Sequence, residues 1–309
     1  MRRFRNILAV VDPSRDRDVA LDRAARLAME NGARLSAIAC LDDTVPRGEG
    51  DVIRQAIIAG LSERLAAMAQ PLRERDLKID SRIVFGEPFI EIIRRVLRGR
   101  HDLVVKAAHH QDLENPLRFG STDLHLLRKC PCPLWMINAA TQQAGSGVLA
   151  CVDPIADDDR DNAVARMVME LATSLAALEG SPCHAVHAWT APFEHIWADS
   201  PWLQIDPRDI EELTALAEDR HATRFQELVA PYRAHVDDLG IHLRYGDPAG
   251  VIVAMAEELR VEVIVLSTIG RSGIAGLFIG NTAETVLSQV NCSVLAIKPE
   301  GFVSPVTAE

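Results

Sequence analysis

The chain is short of basic charge, of aromatic rings and of long apolar runs. Lys and Arg number 33 against 44 Asp and Glu, a formal charge of −11. That balance excludes a general nucleic-acid binder, which needs a basic face against phosphate. It equally disfavours an anionic membrane surface. No run reaches the roughly 18 apolar residues of a spanning helix, so no membrane insertion is expected. The N-terminus, MRRFRNILAVVDPS, begins basic, but its apolar run from Ile7 to Val11 is too short for a signal peptide and ends in Asp12 and Pro13. A cytoplasmic protein is expected.

Catalytic signatures are missing too. There is no G-x-x-x-x-G-K-[ST], hence no Walker lysine, and no G-x-S-x-G elbow. No C-x-x-C occurs among the six cysteines; Cys130-Pro131-Cys132 is C-x-C. Free buried thiols are expected, not disulfides or a metal. His109-His110 has no ligand partner at metal-binding spacing, so no metal is expected. The chain reads as a non-enzyme. Slow ATP hydrolysis with water activated by Asp153 is the one catalytic role in view.

What the chain does contain is a repeat. A shift of 160 residues places Gly86-Glu87-Pro88 on Gly246-Asp247-Pro248, Arg100 on Arg260, Gly120-Ser121-Thr122 on Gly280-Asn281-Thr282 and Cys132 on Cys292. Near the N-termini the shift is 141, with VVDP at 10–13 on CVDP at 151–154. The second copy therefore carries 19 extra residues. The domains are expected at 1–140 and 145–309, joined by the small, polar segment NAATQQAGSG.

Each copy alternates strand and helix. In the first, NILAVV (6–11) reads as a buried parallel strand. A helix over 17–31 follows, stopped by Gly32. Strands at 34–41, 78–85, 102–107 and 133–138 then alternate with helices at 52–74, from Pro88 and at 121–129. The second copy repeats strands near 147–152, 182–189, 240–245, 262–267 and 293–298. The fold class is α/β, each copy a doubly wound parallel sheet with ligands expected at the carboxyl ends of its strands.

Between Ser267 and Thr282 the chain reads STIGRSGIAGLFIGNT, with glycines at 270, 273, 276 and 280. This loop, the strand-end Asp12 and Asp153, and the final strands CPCPLWMI and NCSVLAIKP together resemble the universal stress protein family. The tandem arrangement is similar to its two-domain, E-type members. The family's loop reads Gly-x2-Gly-x9-Gly-Ser/Thr; the second copy offers Ser267-x2-Gly270-x9-Gly280-Asn281. The resemblance implies two Rossmann-like, adenine nucleotide alpha-hydrolase-like domains, each a five-stranded parallel sheet of order 3-2-1-4-5. It also implies intramolecular pairing of the domains through their fifth strands. Assembly into a homodimer is left open. A regulatory role in stress response, without a defined reaction, is the implied function.

Nucleotide binding is expected in the second copy, as ATP or another adenine nucleotide, with Mg. Glycine lets backbone N–H groups reach phosphate at a helix N-terminus. The candidate residues are Ser267, Gly270, Arg271, Gly273, Gly280, Asn281 and Thr282 in the loop and helix start. Asp153 and Ala188 stand at the ends of the first two strands. In the first copy Ala107 and His110 replace the loop's first two positions, and Asp112 and Glu114 repel phosphate. No nucleotide is expected there. Lys106, at the mouth of the fourth strand, either pairs with Asp12 across the vacated pocket or faces solvent.

The extra residues of the second copy fall mostly in TAPFEHIWADSPWLQIDPRD (190–209). Aromatics are 5% of the chain, yet Phe193, Trp197 and Trp202 gather here with Ile196. One reading is a cap packed on its domain. The other is a lid over an apolar cavity that takes a lipid-like ligand. A scaffold without a small ligand is the third alternative for the whole chain.

Overall fold

A computed structural model describes residues 4–41, 51–108, 119–138, 147–154, 159–192, 194, 202, 205–268 and 279–309. The chain divides into two compact units. One comprises Met1–Gln142, Thr268–Gly280 and Asn291–Glu309; the other comprises Gln143–Ser267 and Asn281–Val290.

The first unit runs β1 (Asn6–Val10), α1 (Val19–Asn31), β2 (Arg34–Leu41), α2 (Asp51–Arg73), β3 (Ile79–Phe85), α3 (Pro88–Gly99), β4 (Leu103–Ala107), α4 (Ser121–Lys129) and β5 (Leu134–Ile137). β1 pairs in parallel with β2 and β4, β2 with β3, and β4 with β5. The strand order is thus β3-β2-β1-β4-β5. Ile7, Leu8 and Ala9 are consecutive and all fully buried. Successive strand residues point to opposite faces, so both faces of β1 are covered. α1 packs Ala20, Leu21, Ala24, Ala25 and Ala28 inward. It begins where the Asp18 side chain accepts the Leu21 N–H and ends at Gly32 in left-handed conformation.

The second unit holds β6 (Val148–Cys151), α5 (Asp159–Glu179), β7 (Cys183–Trp189), α6 (Pro207–Val229), β8 (Leu239–Tyr245), α7 (Pro248–Glu258), β9 (Val263–Ser267) and α8 (Asn281–Gln289). β6 pairs in parallel with β7 and β9, and β7 with β8, giving β8-β7-β6-β9. The last strand of the second copy, β10 (Ser293–Ile297), belongs to the first unit. There it lies antiparallel on β5, with Leu295 opposite Trp135. Among the described residues no helix is long and apolar enough to cross a membrane.

The duplication reaches the backbone dihedrals. Arg100 and Arg260 both end a helix in left-handed conformation, at φ 52° and 49°. Gly86 and Gly246, each before the Pro-led third helix of its copy, have φ of 138° and 136°. A β-carbon at Gly246 would meet Val251 Cγ2 at 3.2 Å in a backbone region essentially reserved for glycine. Gly246→Ala is therefore expected to destabilise by about 1–3 kcal/mol, measured by urea unfolding.

Two side chains fasten β10 into the first unit. Asn138 Nδ2 donates to the Asn291 carbonyl at 2.8 Å. Lys298 Nζ donates to the Leu127 carbonyl at the end of α4, at 2.7 Å. Burial pushes the Lys298 ammonium down to about 8 from its ordinary 10.5, against a smaller upward pull from Cys130. Between those two values the unfolded chain holds a proton that the folded chain has released. This group's contribution to stability therefore grows as pH rises from 8 towards 10.5, and is lost as pH falls through 8. The rise should be missing from Lys298→Met in urea unfolding compared at about pH 7 and about pH 10.

Candidate functional site

In a parallel sheet a crevice opens at the carboxyl edge where the strand order reverses. In the first unit that point lies between β1 and β4. A cleft of about 490 Å³ is found there, floored by Val10, Lys106 and Ala107 and walled by Ile92 of α3 and by Gly120–Asp123 at the start of α4.

The loop leaving β1 is tied down. Asp12 accepts the Ser14 N–H at 3.0 Å and its hydroxyl at 2.6 Å, and Arg15 Nε at 3.2 Å. Burial pushes the Asp12 carboxyl up, but the Ser14 and Arg15 interactions outweigh it and hold the group below its ordinary value. Asp18 links both sides of the turn, accepting the N–H of Asp12 and of Leu21 at 2.9 Å each. From α2, Arg64 Nε donates to the Pro13 carbonyl at 2.6 Å.

Lys106 does neither of the two things expected of it. It is buried, and its Nζ lies 2.8 Å from Asp123 Oδ1 in the first turn of α4, not on Asp12. Side-chain exposures of 5% and 0% make this an interior ion pair. Asp12 is already engaged by its own loop, which leaves the ammonium to the carboxylate across β4. The pair has a further effect. A helix N-terminus attracts anions through its unsatisfied N–H groups. Here the protein's own carboxylate, paired with Lys106, already stands in that turn.

At the positions matched by the 160-residue shift, the second copy has Leu266 and Ala283, both buried. The interior ion pair is replaced by two apolar residues, and the carboxylate in the first turn of α8 is the exposed Glu284, one position further on and outside the core. Asp153, Ala188 and Ser267 come from the carboxyl ends of β6, β7 and β9, which are neighbours in the sheet. Asp153 is exposed; Ala188 and Ser267 are half-buried. Asn281 and Thr282 open α8 and are exposed. The residues flanking the loop are joined, with the Gly280 N–H donating to the Thr268 carbonyl at 2.9 Å. Gly270, Arg271 and Gly273 lie outside the described residues, as do His109, His110, Asp112 and Glu114. So do Phe193, Ile196 and Trp197 of the aromatic segment; Trp202 is 76% exposed.

Sequence reasoning missed a histidine pair beside this edge. His187 on β7 is fully enclosed; one ring nitrogen contacts the Val152 carbonyl at 3.1 Å and the other His221 Nδ1 on α6 at 2.8 Å. The Trp189 ring lies 5.3 Å from that of His221. His187 thereby braces the carbonyl just before Asp153. No short spacing marks two histidines on separate elements, although a polar residue inside the apolar run CHAVHAW was a signal that it needed a partner. Among the described residues no group of three or more His, Cys, Asp or Glu is placed to hold a metal ion.

The model of the universal stress protein family matches residues 3–138 and again 147–298. The chain is 31% identical over 319 residues to universal stress protein E of Salmonella typhi, covering 99% of this chain and 98% of that one. Against universal stress protein E of Escherichia coli K12 it is 31% identical over 320 residues, with 99% and 98% covered. A crystal structure of a putative universal stress protein from Pseudomonas aeruginosa matches with a TM-score of 0.72 at 23% identity, over 97% of this chain and 95% of that one. One from Archaeoglobus fulgidus gives 0.60 at 15% identity, over 95% and 98%. Both structural likenesses concern the fold.

Proposed function

The chain belongs to the universal stress protein family, and from that premise we propose that it is a cytoplasmic, non-enzymatic stress-response regulator whose second copy alone holds an adenine nucleotide. The observation carrying this reading is the exchange of Lys106–Asp123 for Leu266–Ala283 at matched positions. It puts a buried carboxylate in the anion-binding turn of the first copy, whereas the acidic residue in that turn of the second, Glu284, faces solvent.

In this reading the N–H groups opening α8 and the side chains of Asn281 and Thr282 meet the phosphates. Gly270, Gly273 and Gly280 keep side chains out of the way, and Arg271 adds charge. Asp153 meets the ribose and Ala188 lines the adenine. Magnesium accompanies the triphosphate and is held chiefly by it. The role of these residues is to bind and orient. Irradiation with a photoreactive azidoadenosine triphosphate tests the assignment. Labelled peptides should come from the second copy and be lost when unmodified ATP competes; labelling confined to the first copy would refute it.

A further inference from the structure

Cys130 and Cys132 are not used by the nucleotide reading. Cys130 follows the last turn of α4, and the chain bends through Pro131 and Cys132 before entering β5. The bend turns the two side chains towards one another. Their sulfurs stand 3.7 Å apart, within the reach of a thiol hydrogen bond that either can donate, with both thiols free and both residues buried. The Lys298 ammonium, hydrogen-bonded to the Leu127 carbonyl three residues before Cys130, is the nearby cation. A cation beside a thiol favours the thiolate, the form that reacts. The hydrogen bond from Cys132 lowers the Cys130 thiol most, against burial, with a smaller contribution from Lys298; Cys132 is pushed the other way. The two cysteines are thus unequal, one the more acidic and the other a neutral thiol in contact with it. The second copy cannot repeat the arrangement, since Val290 stands where Cys130 does.

We propose that Cys130 and Cys132 form a peroxide-reactive dithiol that closes to an intrachain disulfide between α4 and β5. The Cys130 thiolate attacks one oxygen of hydrogen peroxide; the O–O bond breaks, and the other oxygen leaves as hydroxide and takes up a proton to become water. Cys130 becomes a sulfenic acid. The Cys132 sulfur then attacks the Cys130 sulfur, a second water departs, and the disulfide remains. Two thiols and one peroxide give one disulfide and two waters; the cysteines are oxidised and the peroxide is reduced. The sulfurs must close from 3.7 Å to about 2.05 Å. Proline between the cysteines limits the backbone's freedom to absorb that movement, so the bond is strained and readily reduced again.

The test exposes the full-length chain to hydrogen peroxide, blocks remaining thiols with an alkylating agent, and maps the peptides by mass spectrometry without reductant. The expected product is a single peptide holding Cys130 and Cys132 that is two hydrogens lighter, takes no alkyl group, and is restored by dithiothreitol. In Cys132→Ser the reaction should stop at a Cys130 sulfenic acid, captured by dimedone. Lys298→Met should slow oxidation severalfold, and Lys298→Arg should restore much of the rate. A disulfide to Cys292 or to a second chain would overturn the proposal. So would both thiols staying reduced at peroxide levels that fully oxidise free cysteine.

Discussion

Lys106→Leu is expected to destabilise the chain by about 3–5 kcal/mol, because it removes the ammonium that stands 2.8 Å from the buried Asp123 carboxylate. Asp123 has no exposed side-chain surface, so water cannot replace the ammonium without local opening. The double change Lys106→Leu with Asp123→Ala should cost far less than Lys106→Leu alone, and less than the sum of the two single changes. Replacing a buried ion pair by apolar residues is often neutral or even stabilising. The second copy already contains that replacement as Leu266 and Ala283. A double-mutant cycle in urea unfolding reads the coupling directly. Near-additive effects would mean that the pair contributes little as a pair, and its exclusion of phosphate from the first copy would lose its footing.

Magnesium-ATP is expected to stabilise the chain against unfolding by about 2.7 kcal/mol when present at a hundred times its dissociation constant. The gain arises because the ligand binds the folded state and not the unfolded one. Gly270→Asp should abolish it, since a side chain and a negative charge would enter the loop that must approach phosphate. The Lys106→Leu/Asp123→Ala variant should keep it, because the proposed nucleotide site lies in the other copy. Stabilisation surviving in Gly270→Asp would place the ligand elsewhere.

Much of the fold was legible because its signals are local. The apolar strands NILAV and VIVLS, the helical spacing of Ala20, Leu21, Ala24 and Ala28, and Gly32 as a stop all depend on neighbours in sequence. Gly86 and Gly246 were found as a repeated motif, and their shared positive φ explains why the motif repeats. Long-range choices were not legible. For Lys106 the sequence offered Asp12 or solvent, and the structure adds a second carboxylate, Asp123. Only the placement of α4 against β4, and the closure of Asp12 on Ser14 and Arg15, decides between them. His187 and His221 are 34 residues apart on a strand and a helix, so no spacing rule joins them. The contact of Cys130 with Cys132 was hidden for the opposite reason. A C-x-C pair is close in sequence, but whether its sulfurs meet depends on the bend at Pro131.

The proposed difference in role between the two copies rests on the same contrast. A lysine at a strand end and an aspartate in a helix's first turn are few changes from leucine and alanine. Together they form a buried pair in the first copy, and in the proposed reading that internal carboxylate takes the place of an external anion. The duplicated backbone, down to matched left-handed residues at Arg100 and Arg260, is untouched.

The most direct test of the account is the binding stoichiometry of the intact chain, by equilibrium dialysis with labelled ATP and magnesium. One nucleotide per chain is predicted, falling to none in Gly270→Asp and remaining one in Lys106→Leu/Asp123→Ala. Two nucleotides per chain would contradict the closure of the first copy, and none would contradict the second copy's role.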